Sequence, residues 1–324
     1  MTDDAKLHRM IARAIRAPSS HNSQPWLFRP TESGIDLLAD RTRALPVTDP
    51  EDRELTISCG CALFGLRVAA AAEGLGAAVT ALPDGPGEER LAHLAFTGPA
   101  EPELRDLASL IDLRQTWRKA FTDDPMDKDV LTTLQEASAR EGTWFAPLEG
   151  DAPREAAAKL VAEGDAAQWA DPRWRRELAQ WMHPRRAGDG LALPGLAVPV
   201  ARMVVRRFDI GDGVAAHDAD LADHSPLLAV LGTEGDTAAD WLATGQALHH
   251  LLLLGVKAGL GASYLNQPIE VIHLRPRLQA LTGQMGYPQI LLRMGHAAMD
   301  QTPSPRRAVQ DVLTEGPSSA DASG

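Results

Sequence analysis

Cysteine is nearly absent: Cys59 and Cys61 are the only two in 324 residues. They stand two apart, which fits neither a C-x-x-C redox motif nor a four-ligand zinc site. On a helix they point to different sides, and buried, reduced thiols in a cytoplasmic protein are the expectation. Positive charge is also in deficit, with 32 Lys and Arg against 44 Asp and Glu and a net charge of −12. That balance argues against nucleic acid or anionic lipid as the main partner, and suits solubility. Apolar runs are short: residues 251–256 and 191–200 hold the longest, well below the ~20 residues that span a bilayer. The opening Met-Thr-Asp-Asp has neither a basic stretch nor an apolar one behind it, so no signal peptide and no membrane segment are expected.

Signatures of protein-borne catalysis are missing too. There is no G-x-S-x-G elbow and no P-loop, and Gly211-x-Gly213 and Gly74-x-Gly76 lack the third glycine of a dinucleotide fingerprint. His249-His250, and His217 with His224, lack metal-ligand spacing and read as surface or lid histidines; no metal is expected. No nucleophile or general base stands out. Such a chain suits a cofactor that carries the chemistry while the protein binds and orients it.

What is present begins at residues 17–26, Ala-Pro-Ser-Ser-His-Asn-Ser-Gln-Pro-Trp. Upstream, Leu7, Met10, Ile11, Ala14 and Ile15 fall on one helical face. Pro18 cannot continue that helix, for want of an amide hydrogen. Pro25 is expected to hold Gln24 extended, so that the chain leaves as a strand. The short polar residues between them make either a capped loop or a loop whose free amides meet an anion or a heterocycle edge.

Beyond it, residues 27–29 and 35–39 read as a hairpin, 55–73 as a helix apolar almost all round, and 77–82 as a strand. Residues 85–87 and 98–102 are turn-rich and expected at the surface. Helices are expected over 104–113 and 128–140, a short strand over 143–147, and a broken helix over 154–182. Residues 184–223 carry no sustained period, and a stretch that long without elements reads as a lid. A strand over 227–231, a helix over 238–258 and a strand over 289–294 follow, and 314–324 reads as a disordered tail.

One phrase occurs twice. Gly60-Cys61-Ala62-Leu63…Leu66…Gly74-Leu75-Gly76-Ala77 aligns without a gap on Gly245-Gln246-Ala247-Leu248…Leu251…Gly259-Leu260-Gly261-Ala262. A buried helix with the same Gly-Leu-Gly-Ala stop in register implies two related halves. Arg114, Thr116 and Arg118 can gather two guanidinium groups and a hydroxyl around a phosphate, or form a solvated basic patch. Arg306-Arg307, after Pro303 and Pro305, can close on the same phosphate or be surface charge.

Taken in order, these pieces resemble the FMN-dependent nitroreductases, in spacing closest to their Acg-type branch. Residues 17–26 are similar to that family's A-P-S-x-x-N-x-Q-P-W loop and 114–121 to its R-x-[ST]-x-[RK]-x-F phosphate motif. Residues 259–268 resemble the segment beneath the flavin, and Pro305-Arg306-Arg307 the basic C-terminal element. The likeness covers nearly the whole chain and is weakest over 184–223. It implies an α+β nitroreductase-like fold whose two fused halves, residues 1–100 and 101–313, form an intramolecular pseudo-dimer, with 184–223 as a lid.

Family sites draw on two subunits, whereas this chain keeps its R-x-T-x-R only in the second half and its A-P-S loop only in the first. One composite FMN site is the implied result, in a chain expected to be monomeric, though further dimerisation stays open. Pro18, Ser19, Ser20 and Asn22 would line the flavin, and Arg114, Gln115, Thr116 and Arg118 would hold its phosphate and ribityl chain. Leu265, Asn266 and Gln267 would run by the N5 edge, and Arg306 and Arg307 would complete the phosphate site. Gln115, Asn266 and Gln267 depart from the residues common there in the wider family. The implied activity is ping-pong hydride transfer from NAD(P)H through FMN to an electron-poor small molecule such as a quinone or nitro compound, or dehydrogenation of a specific metabolite. The alternative is a flavin-storage protein, its FMN closed under the lid.

Overall fold

The computed structural model describes residues 3–195, 197–207, 211–223, 225–297 and 303–315. Its elements in chain order are α1 (Asp4–Ala14), β1 (Trp26–Pro30), β2 (Gly34–Ala39), α2 (Arg53–Ala72), β3 (Leu75–Ala81), β4 (Arg90–Pro99) and α3 (Pro102–Leu107). Then come α4 (Lys128–Arg140), β5 (Trp144–Pro147), α5 (Asp151–Ala170), α6 (Pro172–Gln180), β6 (Met182–Pro184), β7 (Leu191–Leu193), α7 (Val198–Arg207) and α8 (Gly211–Asp223). The chain continues with β8 (Leu227–Thr233), α9 (Ala238–Lys257), β9 (Leu260–Tyr264), α10 (Gln267–Glu270), α11 (Arg275–Thr282) and β10 (Tyr287–His296). The fold is α+β.

The Asp3 carboxylate caps α1 by accepting from the Ala5 amide, and Met10, Ile11 and Ala14 seat that helix on the core. β1 and β2 pair as the expected hairpin, Trp26 opposite Ala39 and Pro30 opposite Ile35. Almost every residue of α2 is buried. By length and composition α2 could cross a membrane, against the reading from run lengths, but 89% of the qualifying window lies inside the protein. It is a core helix.

Two four-stranded antiparallel sheets flank this core, in the orders β1-β2-β4-β3 and β5-β8-β10-β9. Numbered by occurrence, each runs first-second-fourth-third. In each, one buried helix links the second strand to the third, α2 in one and α9 in the other. Each of these helices stops at a glycine of positive φ, Gly74 at 81° and Gly259 at 75°.

The helices cross at the repeat's paired glycines. A Cβ on Gly60 would lie 2.3 Å from the Leu242 carbonyl oxygen, and one on Gly245 would lie 2.0 Å from the Ile57 carbonyl oxygen. Ile57 and Leu242 are themselves paired positions of the repeat, so the contact is reciprocal, as in an isologous interface.

Three segments differ from the reading of the sequence. Residues 184–223 are not a structureless loop but carry β7, α7 and α8, with α8 lying along α5. Their period was hidden because α8 is largely alanine and aspartate, and α7 is short with a proline near its start. Residues 90–97, given no element in the reading of the sequence, form most of β4, an interior strand of its sheet with Leu91, Ala92 and Leu94 buried. His249 and His250 are core residues rather than surface ones: His249 lies against the Cys61 carbonyl oxygen at 2.6 Å, and His250 stacks on Phe64. His224 and residues 316–324 of the expected tail lie outside the described residues.

Candidate functional site

Residues 19–24 hold three non-glycine residues with positive φ: His21 at 51°, Asn22 at 53° and Gln24 at 53°, the last left-handed rather than extended as the proline after it led one to expect. L-residues adopt that region at a cost, and the surroundings must hold them there. Here they do. The Gln24 amide donates to Ser19 Oγ at 3.0 Å, and Asn22 Nδ2 donates to the carbonyls of Gly190 and Pro305, each at 3.2 Å. Ser20 Oγ donates to the Glu54 carboxylate on α2. This loop closes one wall of a cavity of about 520 Å³.

Another wall comes from residues 114–118 and β9. Residues 114–118 run beside β9, with Thr116 bridged to Ala262 and the Trp117 amide donating to the Ala262 carbonyl at 2.8 Å. That pairing fixes Arg114 and Arg118 at the cavity. The C-terminal segment lies along β1, where the Phe28 amide donates to Val312 O at 2.7 Å, and brings Arg306 back to the same place.

Beside the cavity lies a small polar pocket of about 30 Å³, lined by Arg16, Arg114, Gln115, Thr116, Arg118 and Arg306 among others. Arg114 is 7% exposed; one nitrogen donates to Arg16 O at 3.3 Å, and its Nε and Nη1 are buried without a partner. Arg306 donates to the carbonyls of Arg16 and Ala17 at 3.0 and 3.1 Å and to Asn22 Oδ1 at 3.2 Å, leaving its Nε unpartnered. Burial, then the nearby Arg114 and Arg16, lowers the Arg306 pKa to about 9, and burial also lowers those of Arg114 and Arg118. Converging guanidinium groups with unused N–H donors are an anion site. Arg16 escaped the sequence reading because it stands one residue ahead of the motif, in a helix end that resembles any other.

Twelve of the thirteen residues singled out in the sequence line one or other pocket. Arg307 does not. Its guanidinium donates to Gln24 O at 3.0 Å, to Asp311 O at 2.6 Å and to Asp40 at 3.3 Å, tying the C-terminal segment to the loop. Leu265 is buried in the cavity wall, Asn266 Nδ2 donates to Glu54 at 3.4 Å, and Gln267 Nε2 lies between Asp165 and Asp218 at 3.2 and 3.0 Å.

The far end of the cavity is acidic, which no sequence motif announced. Asp165 on α5, Asp218 on α8 and Glu270 on α10 gather there with Glu54. Burial raises the pKa of all three, that of Asp165 to about 7 with Asp218 adding to it, and that of Glu270 well above the usual value with Glu54 adding to it. Trp169 and Trp174, edge to face at 5.3 Å, wall this end, and Leu191, Val214 and Leu221 from 184–223 cover it. Arg293 also lines the cavity, donating to the Trp117 and Lys119 carbonyls at 3.2 and 2.9 Å and acting on Asp218. Among the described residues, no His, Cys, Asp and Glu cluster has the arrangement of a metal site.

No family model matches the chain. A Mycobacterium tuberculosis protein bearing the name NAD(P)H nitroreductase is 31% identical over 323 residues, spanning 96% of this chain and 92% of its own. Another from that organism, NAD(P)H nitroreductase acg, is 30% identical over 322 residues, spanning 94% and 93%. The NAD(P)H nitroreductase PigM of Serratia is 25% identical, spanning 97% and 94%. Among solved structures, the FMN-dependent nitroreductase NfnB of Mycobacterium smegmatis in complex with NADPH is 16% identical. It covers 65% of this chain and 98% of its own, with a TM-score of 0.45.

Proposed function

The chain belongs to the NAD(P)H nitroreductase family, and from that premise we propose that it is an FMN-dependent oxidoreductase whose two halves share one flavin site. The observation that carries this reading is the unused N–H donors of Arg114 and Arg306, buried around a small polar pocket beside the larger cavity. A phosphate with close to two negative charges fits that donor set, and bidentate guanidinium contacts are its strongest partners.

In this reading Arg16, Arg114, Arg118 and Arg306 hold the phosphate, with Thr116 and Gln115 beside them. Pro18, Ser19, Ser20 and Asn22 line one face of the flavin, and Leu265, Asn266 and Gln267 lie by its reactive edge. The strained loop needs no rearrangement to receive the ligand, because its hydrogen bonds to Gly190 and Pro305 are already made. Bound there, FMN supplies hydride exchange at N5, from NAD(P)H to an electron-poor acceptor or from a metabolite undergoing dehydrogenation. The apolar cover keeps water from that edge.

The repeated sheet order and the reciprocal Gly60–Gly245 crossing support the fused pseudo-dimer, divided into residues 1–100 and 101–313 with a lid within 184–223. The same cover favours a second reading, flavin storage. Leu191, Val214 and Leu221 lie over the cavity, and the Asp218–Gln267 hydrogen bond latches α8 to its floor. Anaerobic addition of NADH or NADPH to FMN-loaded protein separates the two. Rapid bleaching of the flavin absorbance is the result expected of the oxidoreductase; bleaching by dithionite alone would leave the storage reading.

A further inference from the structure

Phosphate recognition uses one end of the cavity and leaves the acidic end without a role. Asp165 is 3% exposed, and its Oδ2 is buried without a partner. Its other oxygen accepts from Gln267 Nε2, which also donates to Asp218, so one amide serves two carboxylates. Gln267 Oε1 is unpartnered as well. The Gln267 amide oxygen and an ionised Asp165 oxygen are both acceptors, and a ligand that brings N–H donors satisfies them.

The charges say which kind of donor. His217 and Arg293 act on Asp218, and Arg53, paired with Glu54, acts on Glu270, but among the described residues no ion pair reaches Asp165. Buried carboxylates with little positive charge beside them take up protons more readily, and burial, then the neighbouring Asp218, raises the Asp165 pKa to about 7. A cation placed among them would reverse it.

The neighbouring wall is aromatic. Trp169 lies four residues after Asp165 on α5, hence on the same helix face, and Trp174 meets it edge to face. Aromatic faces beside carboxylates recognise a cation carried on an apolar body.

We propose that this end of the cavity is a substrate subsite for an aromatic or alicyclic amine, its protonated nitrogen held by Asp165 and Asp218 and its ring by Trp169 and Trp174. The arginines and the carboxylates then sort a ligand's charges to opposite ends. The inference rests on the flavin reading only in assigning the arginine end to the cofactor; the acidic end stands on its own atoms.

The test is binding by calorimetry of 4-nitrobenzylamine, 4-nitrobenzyl alcohol and 4-nitrobenzoate, on FMN-loaded and FMN-free protein at about pH 7.5, with flavin content read from absorbance. The amine should bind at least about tenfold tighter than the alcohol, a difference near 1.4 kcal/mol. The benzoate should bind more weakly than either. In the Asp165→Asn/Asp218→Asn double variant the amine and alcohol should bind alike, with flavin content unchanged. Equal affinities in the unaltered protein, or an amine preference that survives in the double variant, overturns the proposal. A protein that takes up FMN yet treats the three compounds alike refutes the subsite alone, and one that takes up no FMN yet prefers the amine refutes the flavin reading alone.

Discussion

Arg114 and Asp165 each bury polar atoms at the cavity that no protein group satisfies. Arg114 was legible in the sequence, because R-x-T-x-R is a local pattern whose residue types suit a phosphate. Asp165 was not, since it sits in an alanine-rich helix beside other acidic residues and gains its meaning only from α8 and α10 packed around it. Its raised pKa has a consequence for stability. The unfolded chain ionises Asp165 near 3.8 and the folded chain near 7, so across that window the folded state holds the extra proton. Raising the pH therefore favours unfolding, and the stabilisation present below pH 3.8 is gone above pH 7. Asp165→Asn keeps the acceptor for Gln267 and removes the charge. In FMN-free protein it should raise stability at pH 8 by on the order of 1 kcal/mol, after allowance for solvent screening. At pH 5 the gain should shrink towards zero. Urea unfolding at the two pH values checks this, and an equal effect at both would show that Asp165 carries no such proton.

At the scale of elements, periodicity found what periodicity can find. The apolar helices α2 and α9 and the β1-β2 hairpin stand where their patterns put them. β4 was hidden because its Glu88-Glu89-Arg90 approach reads as surface, although the strand then enters the sheet interior between β2 and β3. α8 was hidden because a helix of small and acidic residues has little apolar rhythm and is defined by packing on α5. The α2–α9 crossing makes a sharp prediction. Gly245→Ala puts a methyl group 2.0 Å from the Ile57 carbonyl oxygen and 2.7 Å from the Cys61 amide, both backbone atoms with nowhere to move. It should cost at least about 3 kcal/mol, the upper end for overpacking a core. Gly213→Ala on α8 meets nothing within 4 Å and should gain up to about 1 kcal/mol from helix propensity. Thermal unfolding of the two variants side by side is the measurement, and a mild Gly245→Ala would mean that the helices can separate freely.

For the whole molecule, the repeat was visible as a phrase in the sequence, and the structure adds two sheets of one strand order and a reciprocal helix crossing. In the proposed division neither half carries a complete site. The loop at 18–22 belongs to the first, Arg114 and Arg118 to the second, and Arg306 returns from the C-terminal segment to join them. What the sequence left dark was the convergence itself: Arg16 joining the basic end, Arg307 turned aside to bind Asp40, and the carboxylates from separate helices closing the far end. The central claim, one composite flavin site held by arginines of the second half, is tested most directly by loading the purified chain with FMN, removing free flavin and measuring flavin per chain. A single FMN per chain is predicted, lost in Arg114→Ala/Arg118→Ala and kept in Arg307→Ala. Two flavins per chain, none, or a double variant that keeps its FMN would contradict it.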